Sequence, residues 1–184
     1  MTWFLIILAI LAIGGITIYN SLVKLRTSAR GAWADIDVQL KRRYDLIPNL
    51  VETVKGYASH EKDTLEAVIN ARNRAMSASG PQQKAQAENM LTGALKSLFA
   101  LSEAYPELRA AESFTSLQDS LEEIEGAVQS ARRYYNAVVR DYNTKVEQFP
   151  SALVANAFRF QKEEFFELDD EAQREAPKVS FDDN

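Results

Sequence analysis

Residues 22–58 read LVKLRTSARGAWADIDVQLKRRYDLIPNLVETVKGYA, and this stretch decides the fold. Apolar side chains recur in it at alternating intervals of three and four, the spacing of one helical face. They are Leu22, Leu25, Ala29, Ala32, Trp33, Ile36, Leu40, Tyr44, Ile47, Val51, Val54 and Ala58. A second stripe of the same period comprises Phe114, Leu117, Leu121, Ile124, Val128, Ala131, Tyr135, Val138, Tyr142, Val146 and Phe149. The two stripes predict two long helices of about 55 Å each.

Two shorter helical patterns lie between the long ones. The first runs from Leu65 to Met76, and the second starts at Pro81 and ends before Pro106. Two long and two short helices joined by short turns predict an all-α, antiparallel up-down-up-down four-helix bundle. Pro48 lies inside the first long helix, where its missing N–H predicts a kink or a short break.

The stretch before the first stripe is apolar on every side. No residue from Thr2 to Val23 is charged, and about 20 such residues suffice to cross about 30 Å of hydrocarbon. Trp3 and Tyr19 stand where interfacial aromatic residues are expected. The stretch lacks the basic start and the A-x-A site of a cleavable signal peptide. We therefore expect a single transmembrane helix that continues into the first long helix.

Basic residues follow the apolar stretch directly. Lys24, Arg26 and Arg30 come after it, and no Lys or Arg precedes it. The positive-inside rule then predicts a single-pass membrane protein with the N-terminus outside and the bundle in the cytoplasm, which in a bacterial cell would place it in the inner (cell) membrane.

The predicted organisation has three parts: a membrane anchor (1–23), a helical bundle (24–149), and a short amphipathic segment with an acidic tail (150–184). In the last part Leu153, Val154 and Phe158 share one helical face. If the fourth helix returns to the membrane, we expect these three residues, like Trp3 and Tyr19, at the membrane interface. The alternative is that they pack on the base of the first helix.

An acidic run follows this segment. It comprises Glu163, Glu164, Glu167, Asp169, Asp170 and Glu171. Such a run predicts a solvated segment that lacks fixed structure. Phe165, Phe166 and Leu168 interrupt the charges, so a partner-docking motif is the alternative.

The composition excludes several kinds of site. The chain has no Cys and one His, which rules out disulfides, cysteine nucleophiles, and zinc or di-metal centres that need two imidazoles. A net charge of −5 argues against nucleic acid as a partner. No catalytic residue, metal or cofactor is predicted, and we do not expect an enzyme.

Polar residues cluster on both long helices. Asp37, Arg43 and Asp45 lie on the first, and Asn136, Arg140 and Asp141 lie on the last. Because these helices are expected side by side, the six residues predict an interhelical polar network that fixes the packing. The alternative is pairing within one helix, each pair contributing about 0.2–0.5 kcal/mol.

Seven segments occur together in the chain: YNSLVKLR (19–26), AWADIDVQLKRRYDLIPNLV (32–51), VKGY (54–57) with HE (60–61), YNAVVRDYN (135–143), FP (149–150), FF (165–166) and APKVSF (176–181). With them the chain resembles the LemA family of bacterial membrane-anchored proteins. The resemblance implies a four-helix bundle behind a transmembrane helix, without catalytic residues. It also implies association with membrane proteases or stress-response systems. Some family members resemble lipoproteins, but residues 14–19 contain no lipid-accepting Cys.

Two functions are compatible with these features. The first is a membrane-anchored scaffold or adaptor, which self-assembles through a coiled coil or binds another membrane protein. The alternative is a membrane-tethered sensor that binds a small ligand between helices, in a pocket lined by Tyr44, Tyr134, Tyr135 and Tyr142.

Overall fold

The computed structural model describes residues 1–167, and 84% of these are helical. The elements are α1 (Thr2–Tyr57), α2 (Lys62–Ser77), α3 (Pro81–Ser102), α4 (Pro106–Arg109), α5 (Glu112–Glu147) and α6 (Ser151–Ala157). The described part of the chain contains no strand, so the predicted all-α class is confirmed.

The longest element, α1, is a single helix of 56 residues that includes Pro48. The predicted alternative of a break at Pro48 is wrong. Proline leaves the carbonyl of Tyr44 without its helical donor, and the Nε–H of Arg72 on α2 donates to that carbonyl at 2.8 Å. A hydrogen bond from a neighbouring helix thus replaces the one that Pro48 cannot make.

The two long helices pack along each other, and α2 packs against both α3 and α1. The buried side of α1 follows the predicted stripe, with Ile36 and Ile47 inaccessible to solvent. On α5 the predicted stripe holds on both sides of Val138, since Tyr135 and Tyr142 are buried; Val139 is buried in addition, and Val138 is partly buried against the core. Phe149, the last member of the predicted α5 stripe, is 77% exposed because α5 ends at Glu147.

The turn between α2 and α3 depends on one glycine. Gly80 has φ +77°, a left-handed conformation that L side chains rarely adopt. Pro81 follows at the first position of α3, where its fixed φ suits a helix and its missing N–H would be unpaired anyway.

The chain returns to the body after α6. α6 contacts both α1 and α5, and the residues that follow it, 160–167, run without regular secondary structure beside α5. We call residues 160–167 the strap. Phe166 in the strap is fully buried. The exposed side chains of Glu164 and Glu167 agree with the predicted solvation, but the predicted lack of fixed structure is wrong for residues 163–167. The remaining part of the acidic run and the APKVSF motif lie outside the described residues.

Candidate functional site

A buried ion pair joins three helices in the middle of the body. Arg43 on α1 donates to Glu88 on α3 at 2.9 Å and lies 3.0 Å from the Glu125 carboxylate on α5. Its guanidinium also donates to the Thr92 hydroxyl at 3.0 Å. The side chains of Arg43 and Glu88 are 6% and 1% exposed. Arg43 therefore links α1 to α3 through Glu88 and to α5 through Glu125.

The carboxylate of Glu88 has a second donor, the hydroxyl of Tyr44. Burial raises the pKa of Glu88 above its usual value because it penalises the charged form; the hydrogen bond from Tyr44 and the charge of Arg43 oppose that rise. Burial also raises the pKa of Tyr44, and the adjacent Glu88 charge adds to this effect. The carboxylate of Glu88 is thus shielded from water and accepts hydrogen bonds from Arg43 and Tyr44.

A groove between α3 and α5 opens directly above this ion pair. Its volume is about 500 Å³. Leu95, Phe99 and Leu121 supply apolar surface to its lining, and Arg43, Glu125 and Arg132 supply charged groups. Its volume lies within the range of small-molecule sites, about 300–1,000 Å³.

Asparagines on α5 hold the strap by its backbone. The side-chain amide of Asn136 donates to the Phe166 carbonyl at 3.0 Å and accepts from the Phe166 N–H at 2.9 Å. Asn143, about two turns further along α5, bonds Glu163 in the same two ways, each at 2.9 Å. In both cases the asparagine pairs the N–H and the C=O of one strap residue, so these contacts hold the strap by its backbone. The charged side chain of Lys162 adds an exposed ion pair to Glu147 on α5 at 2.7 Å.

Tyrosines and an aromatic cluster complete the attachment of the strap. The hydroxyls of Tyr135 and Tyr142 each donate at 2.8 Å to strap carbonyls, of Glu164 and Gln161 respectively. The Phe166 ring packs against Trp33 with centroids 5.5 Å apart. Burial, with the charges of Glu163 and Glu164, raises the pKa of Tyr135 to about 12.

The base of the body is the end at which α5 terminates and α6 begins. A small core forms there from Leu22, Tyr142, Ala155 and Phe160. The other side of α6 is uncovered: Leu153 is 65% exposed and Phe158 is 63% exposed. Of the two predicted arrangements, packing on the base of α1 is seen for the buried side of α6. The membrane-interface arrangement stays a prediction for the exposed Leu153 and Phe158.

The residues predicted to form a polar network are distributed as follows. Arg43 makes interhelical ion pairs, to Glu88 and Glu125. Asp45 pairs with Lys41 of its own helix at 2.9 Å. Asp37 is exposed on α1.

On α5, Arg140 and Asp141 are exposed neighbours 3.8 Å apart, and Asn136 binds the strap. Three of the tyrosines proposed as a pocket, Tyr44, Tyr135 and Tyr142, are buried with their hydroxyls bonded within the protein, and Tyr134 is 57% exposed. The four tyrosines therefore do not line one pocket.

Glu88 and Glu125 were not predicted from the sequence, and neither was the contact of Asn143 with the strap backbone. One signal was available for Glu88, since it precedes Leu91 and Leu95 at intervals of three and four. A charged residue at a position of the apolar stripe requires a buried partner, and Arg43 occupies such a position on α1. Asn143 follows Asn136 by two turns on one face, which is the available signal for a repeated backbone contact.

The fold and the site together define a class: an all-helical protein with a long, exposed apolar helix at one end and a helical body closed by a C-terminal strap. The LemA family model matches residues 32–181. Since this covers most of the chain, the chain belongs to the LemA family.

Relatives of known name fall into two groups. The chain is 24% identical to magnetosome protein MamQ of Magnetospirillum gryphiswaldense, over 80% of this chain and 64% of the relative. It is 23% identical to MamQ 1 of Paramagnetospirillum magneticum, over 81% and 64% of the two chains. It is 24% identical to protein LemA of Metamycoplasma hominis, over 74% and 63%. The chain thus spans slightly less than two thirds of the length of these relatives.

Proposed function

We propose that this protein is a membrane-anchored, non-enzymatic scaffold or adaptor. The proposal rests on one observation: the first part of α1 is exposed to solvent, and its second part packs into the body. Its first part, from Thr2 to Ile16, is apolar and exposed, whereas its second part, from Leu22 to Val54, carries the buried stripe of the body. One helix long and apolar enough to cross a membrane thus continues without interruption into the body.

The proposed arrangement places the apolar part of α1 in the bilayer as a single span, with the N-terminus outside and the body in the cytoplasm. Lys24 and Arg30, both exposed, follow the span, and this supports the orientation through the positive-inside rule. The body is proposed to be an antiparallel up-down-up-down bundle of α1, α2, α3 and α5. The packing of α1 along α5 and of α2 against α3 supports this topology.

The proposed partners are the lipid bilayer, further copies of this chain, and another membrane protein. Two proteins confined to one membrane gain effective concentration without any new contact, so a small surface suffices for association. The body offers such surface at Val38 on α1 and Tyr134 on α5, large apolar side chains that are 56% and 57% exposed.

Membrane anchoring is tested by alkaline carbonate extraction of membranes that contain the full chain. We expect the chain to stay with the vesicles, and release into the supernatant would overturn the anchor.

Self-assembly is tested by sizing the full chain in mild detergent. We expect a particle larger than one chain with its micelle, and dissociation in the V38E or Y134E variant. The matched control is N73E, which places the same charge at an exposed polar position of α2. Association is contradicted if the wild-type particle contains one chain.

A second candidate function, a membrane-tethered sensor, is favoured by the groove between α3 and α5. Its volume of about 500 Å³ is within the range of small-molecule sites, about 300–1,000 Å³. A ligand that binds there raises the melting temperature of the wild type. Leu121→Trp narrows the groove and is expected to abolish that rise, and an unchanged rise in this variant would exclude the groove as the site.

A further inference from the structure

The base of the body presents an uncovered apolar surface. Phe149, Leu153 and Phe158 are 77%, 65% and 63% exposed, respectively. They precede, lie on and follow the short helix α6, whose opposite side is buried through Ser151 and Ala155. Three large apolar side chains on so short a segment are unusual for a surface that faces only water.

This surface adjoins the apolar part of α1. The Tyr19 ring packs on Phe158 with centroids 4.8 Å apart, and Ile18 packs against the small core beneath α6. Trp3 and Tyr19 are about 24 Å apart along the helix, close to the hydrocarbon thickness of about 30 Å. If Trp3 lies at one boundary of the bilayer, Tyr19 and the adjacent α6 lie at the other.

Basic side chains surround the same end of the body. Lys24 and Arg159 are exposed, and the guanidinium of Arg26 lies 4.7 Å from the centre of the Phe160 ring. The acidic Glu147 is paired with Lys162 at 2.7 Å. An apolar surface with a positive rim is complementary to an anionic lipid surface, in which phosphates lie just outside the acyl chains.

We infer that α6 with Phe149, Leu153 and Phe158 lies in the headgroup region of the membrane, as a second lipid contact beside α1. The occupant of this surface is lipid because the surface is continuous, through Tyr19, with the apolar face of α1. The inference rests on the proposed anchoring of α1. It adds that the body is seated on the bilayer at α6 rather than held away from it.

The absence of Cys from the chain makes a site-specific test direct. A single cysteine is introduced by L153C, and an environment-sensitive nitrobenzoxadiazole label is attached. The full chain is reconstituted into vesicles of equal parts phosphatidylcholine and phosphatidylglycerol, with or without lipids brominated near the headgroup. We expect blue-shifted emission that the brominated lipid quenches. The matched control is M90C on α3, a position of similar chemistry that is 49% exposed, where we expect neither effect.

A third label, at I10C in the apolar part of α1, separates the two proposals. In one outcome, lipids brominated deep in the acyl chain quench the label at I10C, while the label at L153C is quenched no more than that at M90C. This outcome overturns the second contact and leaves the anchor intact. Absence of quenching at all three positions overturns the anchor itself. Quenching at L153C and I10C, but not at M90C, supports both.

Discussion

Removal of Arg43 tests whether the buried ion pair is a structural requirement of the body. Arg43→Met retains most of the aliphatic stem but leaves the Glu88 carboxylate, 1% exposed, without its cation. Loss of one partner of a buried pair costs about 3–5 kcal/mol, because the other charge stays buried and uncompensated. At about 2–4 °C per kcal/mol for a domain of this size, the melting temperature should fall by about 6–20 °C.

The double variant R43M/E88M separates the cost of a broken pair from the value of an intact one. With both charges gone, the site becomes apolar, and the Tyr44 hydroxyl retains the Ala75 carbonyl as an acceptor at 3.4 Å. Because replacement of a whole buried pair by apolar residues is often neutral, we expect the double variant to be more stable than R43M.

The assay is thermal unfolding of the full chain in mild detergent, followed by far-UV circular dichroism. The control is K41M, which breaks the pair between Lys41 and Asp45, whose side chains are 75% and 58% exposed. Its effect should stay within about 0.5 kcal/mol. The four proteins are compared at the same detergent concentration and pH.

The difference in stability between R43M and wild type should become smaller at low pH. Loss of the cation raises the pKa of Glu88 further, so the folded variant binds a proton that the unfolded chain releases. Stability of R43M relative to wild type then rises as pH falls toward the unfolded value of about 4.3. An R43M protein as stable as K41M, or a double variant no more stable than R43M, would refute this account of the pair.

Three further predictions concern the strap. Phe166→Ala should lower the free energy of unfolding by about 3–5 kcal/mol, because the ring of Phe166 is fully buried. Phe165→Ala, at a ring that is 38% exposed, should lower it much less in the same thermal unfolding experiment. Equal losses in the two variants would contradict the observed packing. Asn136→Ala should speed proteolysis of the strap and hydrogen exchange at the Phe166 amide, because it removes two hydrogen bonds to the Phe166 backbone. Asn73→Ala, on the exposed side of α2, should leave both rates unchanged. The pKa of Tyr135 in the folded protein is raised from 10.0 to about 12. Its contribution to the free energy of unfolding is therefore complete below pH 10 and is lost as the pH rises through 12. Tyr135→Phe should flatten this alkaline decline in the measured free energy of unfolding, and an unchanged slope would exclude Tyr135 as a contributor.

The long helices could be predicted because their signal is local and repeated. Each turn of α1 and α5 supplies an apolar residue at the same angle, so a misplaced residue such as Phe149 does not change the assignment. The continuity of α1 through Pro48 was not predictable from that period. The carbonyl that proline leaves free accepts a hydrogen bond from Arg72, which lies on a different helix and is not part of that period.

The strap was missed because its sequence and its environment point in opposite directions. Glu163, Glu164 and Glu167 indicate a solvated segment, and indeed Glu164 and Glu167 are exposed. The segment is held by its backbone, which Asn136 and Asn143 bind, together with the buried ring of Phe166 and the pair of Lys162 with Glu147. Charge content therefore predicts the exposure of these side chains correctly and the order of their backbone wrongly.

The strap also connects the base of the body to α1. Phe160 at its start packs into the small core with Leu22, and Phe166 at its end packs on Trp33, so the strap ties α6 and α5 to the part of α1 that follows the apolar stretch. If the apolar part of α1 spans the membrane as we propose, the span and the first helix of the body are one continuous helix of 56 residues. A scaffold anchored in this way would present its surfaces at a defined height and angle to any partner in the same membrane.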